Sequence, residues 1–324
     1  MSGPELPLPD DDLAWDPDLA TRPEDLAVLD DLVAGSTWDG PLIVSMPRTG
    51  STLLGALFLL LRDSPGTGEH VFERYLHEPV APVFWEGQDL QSVKDFIATP
   101  LTERDLIQES AYQFASKDVA RWFLRRARKP IAFVMRHPRL AWPSRWQIML
   151  SEWLATDPEI ADADRIRATL EAGDYRGLGD VLIERVRQPD NGWCGFMSLI
   201  GLCLDEGLDF VIVDNERFRA DPETTLRQMC ERWGLTYDDA MTTWDDLSEA
   251  LPRVVMSELA LGPEYEWYYA QTLASKGGIV RVDREPLDVG RFPEELRGDR
   301  TDLLTIDRAE EWYEALLDRG ELMG

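Results

Sequence analysis

Cysteine and histidine are scarce in this chain, with three of each in 324 residues. Cys194, Cys203 and Cys230 are an odd number with no Cys-x-x-Cys pair. That excludes a disulfide framework or zinc ribbon and fits buried thiols in a reducing compartment. His70, His77 and His137 do not fall at a metal-ligand spacing, so no metal is expected. Positive charge is the next shortage: 33 Lys+Arg against 61 Asp+Glu leave a formal charge of −28. A protein that coats nucleic acid or an anionic membrane needs a basic face, and this composition speaks against both. A small anion needs only a local positive pocket and stays allowed. Long hydrophobic runs are missing as well. The longest, Leu53 to Leu61, is nine residues and includes Gly55, where a membrane span takes about 20. The N-terminus has no basic and apolar regions of a signal peptide, so a cytoplasmic location is expected.

What is present is an ordinary globular composition, 44% hydrophobic, enough to build a sizeable core. Residues 1–39 carry eleven Asp/Glu and one Arg. They read as an acidic, irregular arm with a short helix around 24–33. Residues 40–324 read as one domain. Pro41 to Ser45 is a buried strand, 46–52 a loop, and 53–62 a buried helix. A second strand is expected at 71–76, a helix over 101–128, a strand at 131–135 and a helix over 140–155. Short helices should fill 157–190. A helix at 193–206, a strand at 210–214 and a helix at 222–234 follow, with a last helix at 305–319. Strands separated by helices predict a mostly parallel sheet with right-handed crossovers.

Two stretches carry chemistry. Arg48-Thr49-Gly50-Ser51-Thr52 lies between a strand and a helix start. Backbone N–H groups and the helix dipole converge there, Gly50 permits close approach, and Arg48 adds a fixed cation. Those features suit a phosphate or sulfate. The Walker A pattern Gly-x-x-x-x-Gly-Lys-Ser/Thr is absent. Arg136 follows the strand 131–135, and Ser144 lies eight residues later, where both could reach a second phosphate. In an open α/β sheet these positions share the crevice at the strands' carboxyl ends. The plain alternative is a capped helix start, a surface Arg and an N-cap Ser.

As a set, these motifs resemble the sulfotransferases that use 3′-phosphoadenosine 5′-phosphosulfate (PAPS), most closely their divergent bacterial group. The later stretches Val211 to Phe218 and Ala220 to Cys230 are similar to that family's strand and Asp-Pro-containing helix. The resemblance covers roughly residues 40–250. It implies a P-loop-type three-layer α/β/α fold with a central, mostly parallel sheet and helical insertions. It also implies that Arg48 to Thr52 hold the 5′-phosphosulfate and that Arg136 and Ser144 hold the 3′-phosphate. Lys276, in Ser275-Lys-Gly-Gly278, partly echoes the family's C-terminal Arg-Lys-Gly. The base is expected at Glu78 or His77, with Glu73 and Glu69 as further candidates. The implied reaction moves a sulfuryl group to a hydroxyl of a small-molecule acceptor, releases 3′-phosphoadenosine 5′-phosphate (PAP) and requires no metal. Trp85, Trp142, Trp146, Trp153, Trp193 and Trp267 either pack the core or line an acceptor pocket. No motif encodes the acceptor or the oligomeric state. Two other readings compete: a different P-loop phosphotransferase, kinase-like, with Asp214 on Mg²⁺; and a non-catalytic protein that keeps the fold and binds a nucleotide.

Overall fold

The computed structural model describes residues 6–9, 38, 40–62, 68–78, 101–114, 117–157, 159–185, 192–243, 253–256, 279, 285–298, 303–319 and 322–323. The expected arm helix, Lys276, Trp85 and Trp267 lie outside them.

Seven strands form one sheet: β1 Leu42–Ser45, β2 Arg74–His77, β3 Asp105–Ser110, β4 Ile131–Met135, β5 Phe210–Asp214, β6 Val254–Met256 and β7 Leu322–Met323. Their order is β6-β2-β3-β1-β4-β5-β7, and each neighbouring pair is parallel. Every strand therefore ends at the same edge. Chain order reverses at β1, which lies between β3 and β4. A crevice at such a reversal is where ligands enter open α/β sheets.

Both faces of the sheet are covered, as its apolar strands require. Leu42 and Val44 of β1 enter one core and Ile43 the other; Phe133 and Val134 of β4 divide the same way. Helix α1 (Ser51–Phe58) packs on the Ile43 side. The Val44 side is covered by α2 (Lys117–Leu124), α3 (Pro138–Thr156) and, beyond α4 (Ala163–Ala172) and α5 (Gly179–Arg185), by α6 (Trp193–Glu206). Two helices follow β5: α7 (Asn215–Ala220), and α8 (Pro222–Trp233) on the Ile43 side; α9 (Ile306–Leu317) packs on the Val44 side. The result is a three-layer α/β/α fold.

One expected element is replaced. The single helix over 101–128 is instead β3, a 3₁₀ turn at Ala111–Gln113 and α2. The apolar spacing that suggested a helix belongs partly to α2, with Val119 and Phe123 inward. Residues 105–110 are flanked by two strands and buried throughout, so their polar side chains mimicked the outer face of a helix. Trp142, Trp146 and Trp193 are fully buried among Phe292, Tyr175 and Phe196, so these three pack the core. Trp153 is half-buried against the same core. The three cysteines are free and buried. Among the described residues no helix is long and apolar enough to cross a membrane.

Candidate functional site

The loop after β1 is shaped by two residues in the left-handed region, Arg48 at φ 70° and Gly50 at φ 79°. Such backbone is cheap for glycine and costs a side-chain-bearing residue of order 1 kcal/mol, so Arg48 stores strain at the loop's tip. Thr49 is fully buried and donates its hydroxyl to the Met46 carbonyl at 2.8 Å. Asn215, the first residue of α7, donates to the Thr49 carbonyl at 2.6 Å and accepts from Arg219 at 3.0 Å. A Cβ on Gly50 would lie 2.5 Å from Nδ2 of Asn215, so the loop and α7 fit only through a glycine. Gly50 caps α1 without a side-chain hydrogen bond among the described residues. The first-turn N–H groups of α1 thus stay open to an anion.

Three cationic or hydroxyl side chains meet above this loop. Arg48 donates from Nε to the Ser144 hydroxyl at 3.0 Å. Arg136, the residue after β4, donates from Nη1 to the Arg48 carbonyl at 3.3 Å and from Nε to Glu216 at 3.2 Å. Among the described residues Nη2 of Arg136 has no hydrogen-bond partner. Ser144 reaches this point because α3 starts directly after β4, with His137 as its cap. Pro143 lacks an N–H, and the Arg139 carbonyl it would have served accepts from the Leu287 N–H at 3.2 Å instead. The plain reading of Ser144 as an N-cap is therefore wrong: it stands in the second turn and faces Arg48.

The acceptor-side candidates separate. Glu78 and His77 end β2 at the same edge as the anion loop. Glu78 has φ 57°, a half-buried side chain, and a carboxylate that accepts from the Ser110 hydroxyl. His77 is 4% exposed, and burial lowers its pKa despite the opposing pull of Glu78. Glu73 and Glu69 lie before β2, at its opposite end, about 16 Å from Glu78 at ~3.3 Å per residue for Glu73. Glu73 pairs with Arg104 at 2.8 Å, and Glu69 is exposed. Neither belongs to the site.

Several site residues escaped sequence reasoning. Gln108 and Ser110 were hidden by the helical reading of 101–128. Asn215 and Glu216 carried a usable signal, since they directly follow a recognised strand, as Arg136 does. Glu216 holds Arg136 and also accepts from the His137 N–H at 3.3 Å. Behind them, Asp214 caps α7 through the Arg217 N–H at 3.0 Å and accepts from the Tyr313 hydroxyl at 2.9 Å. Burial, then the nearby Glu216 charge, raises the Asp214 pKa to about 6. Burial, then Arg139 and Arg136, lowers that of His137 to about 4. Among the described residues no group of three His, Cys, Asp or Glu side chains could hold a metal ion.

No family model matches the chain, and no curated protein matches its sequence. Among solved structures it is similar to the sulfotransferase domain from the Synechococcus PCC 7002 olefin synthase. That likeness has 15% identity and a TM-score of 0.31, and covers 64% of this chain and 78% of that one. A similarity this slight leaves the fold to be read from its own strands and helices.

Proposed function

We propose that this chain is a PAPS-dependent sulfotransferase acting on a hydroxyl of a small-molecule acceptor. The observation that carries the reading is the meeting of Arg48, Arg136 and Ser144, residues from three segments, above the open first turn of α1. These are the residues through which the sequence resembles that family. The donor's two anionic ends find suitable partners here: the N–H groups of α1 and Arg48 for the 5′ end, and Nη2 of Arg136 for the 3′-phosphate.

PAPS supplies the sulfuryl group and departs as PAP. The protein's part is positioning and charge stabilisation, as in phosphoryl transfer. Arg48 and the loop N–H groups stabilise the charge that grows on the bridging oxygen as its bond to sulfur breaks. Glu78 accepts the acceptor's hydroxyl proton as the new O–S bond forms, a contribution of roughly 10²–10⁴-fold. Arg136 distinguishes a 3′-phosphorylated nucleotide from ATP-like ones; a guanidinium suits that dianion. Asp214 is committed to capping α7 and to Tyr313, which weakens its case as a magnesium ligand in a kinase-like enzyme.

The test is thermal unfolding with PAP, ADP or ATP–Mg²⁺, with PAP repeated on Arg136→Ala. A ligand at 100 times its Kd stabilises the folded state by about 2.7 kcal/mol. A shift with PAP alone that Arg136→Ala removes supports the proposal. A larger shift with ATP–Mg²⁺ favours the phosphotransferase reading, and PAP binding without sulfuryl transfer to any acceptor favours the non-catalytic one. No shift with PAP overturns the donor site.

A further inference from the structure

Between the anion loop and Glu78 lies a buried polar cluster centred on Gln108, in the middle strands of the sheet. Gln108 is 1% exposed. Its amide nitrogen is 3.0 Å from the Ser51 hydroxyl, 3.2 Å from the Ser45 hydroxyl and 3.1 Å from Nε2 of His77. Its amide oxygen accepts from the Tyr75 hydroxyl. This orientation gives both amide N–H groups partners, whereas the reverse would leave two buried N–H groups to share the Tyr75 oxygen among the described residues.

We infer that Gln108 and His77 are positioning residues for the Glu78 carboxylate, with His77 held as the neutral tautomer that carries its proton on Nδ1. An amide nitrogen can only donate. A protonated Nε2 would set two donors 3.1 Å apart, so Nε2 is bare and accepts. A neutral ring with a bare Nε2 has its N–H on Nδ1, and Nδ1 lies 4.0 Å from Oε2 of Glu78. Burial keeps the ring neutral. The other carboxylate oxygen, Oε1, accepts from Ser110, so Glu78 is held by a hydroxyl on one side and faces an N–H dipole on the other. Because the amide occupies Nε2, His77 cannot present that lone pair to an acceptor, and Glu78 is the proton acceptor of the pair. Ser51 takes part in the same cluster. Its oxygen accepts from Gln108, which leaves its own O–H to donate toward an anion at the loop. One side chain of β3 thereby ties the donor side of the site to the acceptor side. The tautomer follows from the hydrogen bonds alone; only the proton-accepting role of Glu78 rests on the proposed function.

The experiment is a long-range ¹H–¹⁵N correlation spectrum of the full-length chain labelled at its three histidines, with His77→Asn to assign the His77 signals. The expected pattern is a single protonated nitrogen, Nδ1, unchanged from pH 6 to 8. Gln108→Glu puts an acceptor oxygen where the amide nitrogen stands and should move the proton to Nε2. A wild-type Nε2–H tautomer, or a folded Gln108→Glu that leaves the tautomer unaltered, overturns the inference. The wild-type spectrum decides the tautomer even where Gln108→Glu does not fold. The positioning role is read from the ¹³Cδ resonance of Glu78 at pH 7. It should shift in His77→Phe and return in His77→Asn, which keeps a donor near the Nδ1 position. A resonance unmoved by His77→Phe overturns that role. Neither readout uses a nucleotide, so a failed PAP titration and a failed tautomer assignment are separate results.

Discussion

Arg48 and Ser144 stand 96 positions apart in the chain, yet Nε of one donates to the hydroxyl of the other at 3.0 Å. This bond aims a guanidinium whose backbone is already strained at φ 70°. It predicts a graded pair of losses. Arg48→Ala removes the cation proposed to bond the donor's anionic end, worth about 1.5–3 kcal/mol, so PAP should bind roughly ten- to a hundredfold more weakly. Ser144→Ala removes the aiming bond and any contact of its own; the loss should be smaller, about threefold to tenfold for 0.5–1.5 kcal/mol. Calorimetric titration at one fixed ionic strength measures both. A Ser144→Ala loss equal to or above that of Arg48→Ala would contradict the assigned roles.

Glu216 predicts a gain. Its carboxylate pairs with Nε of Arg136 at 3.2 Å, beside the proposed 3′-phosphate. That pair sets the guanidinium's orientation but also places a negative charge near an incoming anion. Glu216→Gln keeps an oxygen acceptor for Arg136 and removes the charge. PAP should then bind about threefold to tenfold more tightly at low salt, and the gain should shrink at higher salt as screening grows. ADP, which has no 3′-phosphate, should gain little. A uniform gain for both nucleotides would place the effect in overall charge rather than at Arg136.

Gly50 predicts a stability loss located in the loop. It combines φ 79° with an approach that would bring a Cβ to 2.5 Å from Nδ2 of Asn215. Gly50→Ala pays the left-handed cost of about 1–2 kcal/mol and displaces Asn215 from the Thr49 carbonyl, a buried bond of 2.6 Å. Denaturant unfolding should show a loss of about 2 kcal/mol or more. Gly173→Ala, also left-handed but with open space around its Cβ, should show only the conformational part.

The sequence made the anion loop, Arg136 and the strands that precede them, β1 and β4, readable, because each is a short apolar strand followed by a loop with Gly, Arg or Pro. Strand β5 and the ends of α6 and α8 were legible for the same reason, with Gly207 and Gly234 in left-handed C-caps. Strand β3 was not. Gln108, Glu109 and Ser110 are buried polar residues at the carboxyl edge of the sheet, where local pattern and tertiary environment disagree. The contact between Arg48 and Ser144 was foreseeable only as a shared crevice. That Arg48, rather than a ligand alone, engages Ser144 follows from how the loop after β1 meets the second turn of α3, a tertiary contact that no spacing rule encodes. Glu216 is not legible as part of the site, because a carboxylate beside a proposed anion site opposes the local positive charge that marks such a site in a sequence.

Asp214 and His137 both neighbour Tyr313, which bonds Asp214 at 2.9 Å and has its ring 5.0 Å from that of His137. Their titrations act in opposite directions over the same pH range. The Asp214 pKa is raised to about 6 in the folded chain, against about 4 for an exposed carboxyl. Between those values the folded state binds more protons, so this group's contribution to stability falls as pH rises, by up to about 3 kcal/mol at about 1.4 kcal/mol per unit. The His137 pKa is lowered to about 4, against about 6.5 unfolded. There the unfolded state binds more protons, so its contribution rises with pH from about 4 to 6.5. Removing one should expose the other. Asp214→Asn keeps an oxygen to cap α7 through the Arg217 N–H and presents its NH2 to the Tyr313 hydroxyl, which can accept as well as donate, and its stability should climb more steeply between pH 4 and 6.5 than that of the wild type. His137→Asn, which keeps an acceptor for the Arg139 N–H, should climb less steeply or fall. Urea unfolding at half-unit steps from pH 4 to 7 measures the three slopes. Parallel wild-type and variant curves would mean that neither group titrates differently on folding, and the burial assigned to the Asp214 carboxylate would be wrong.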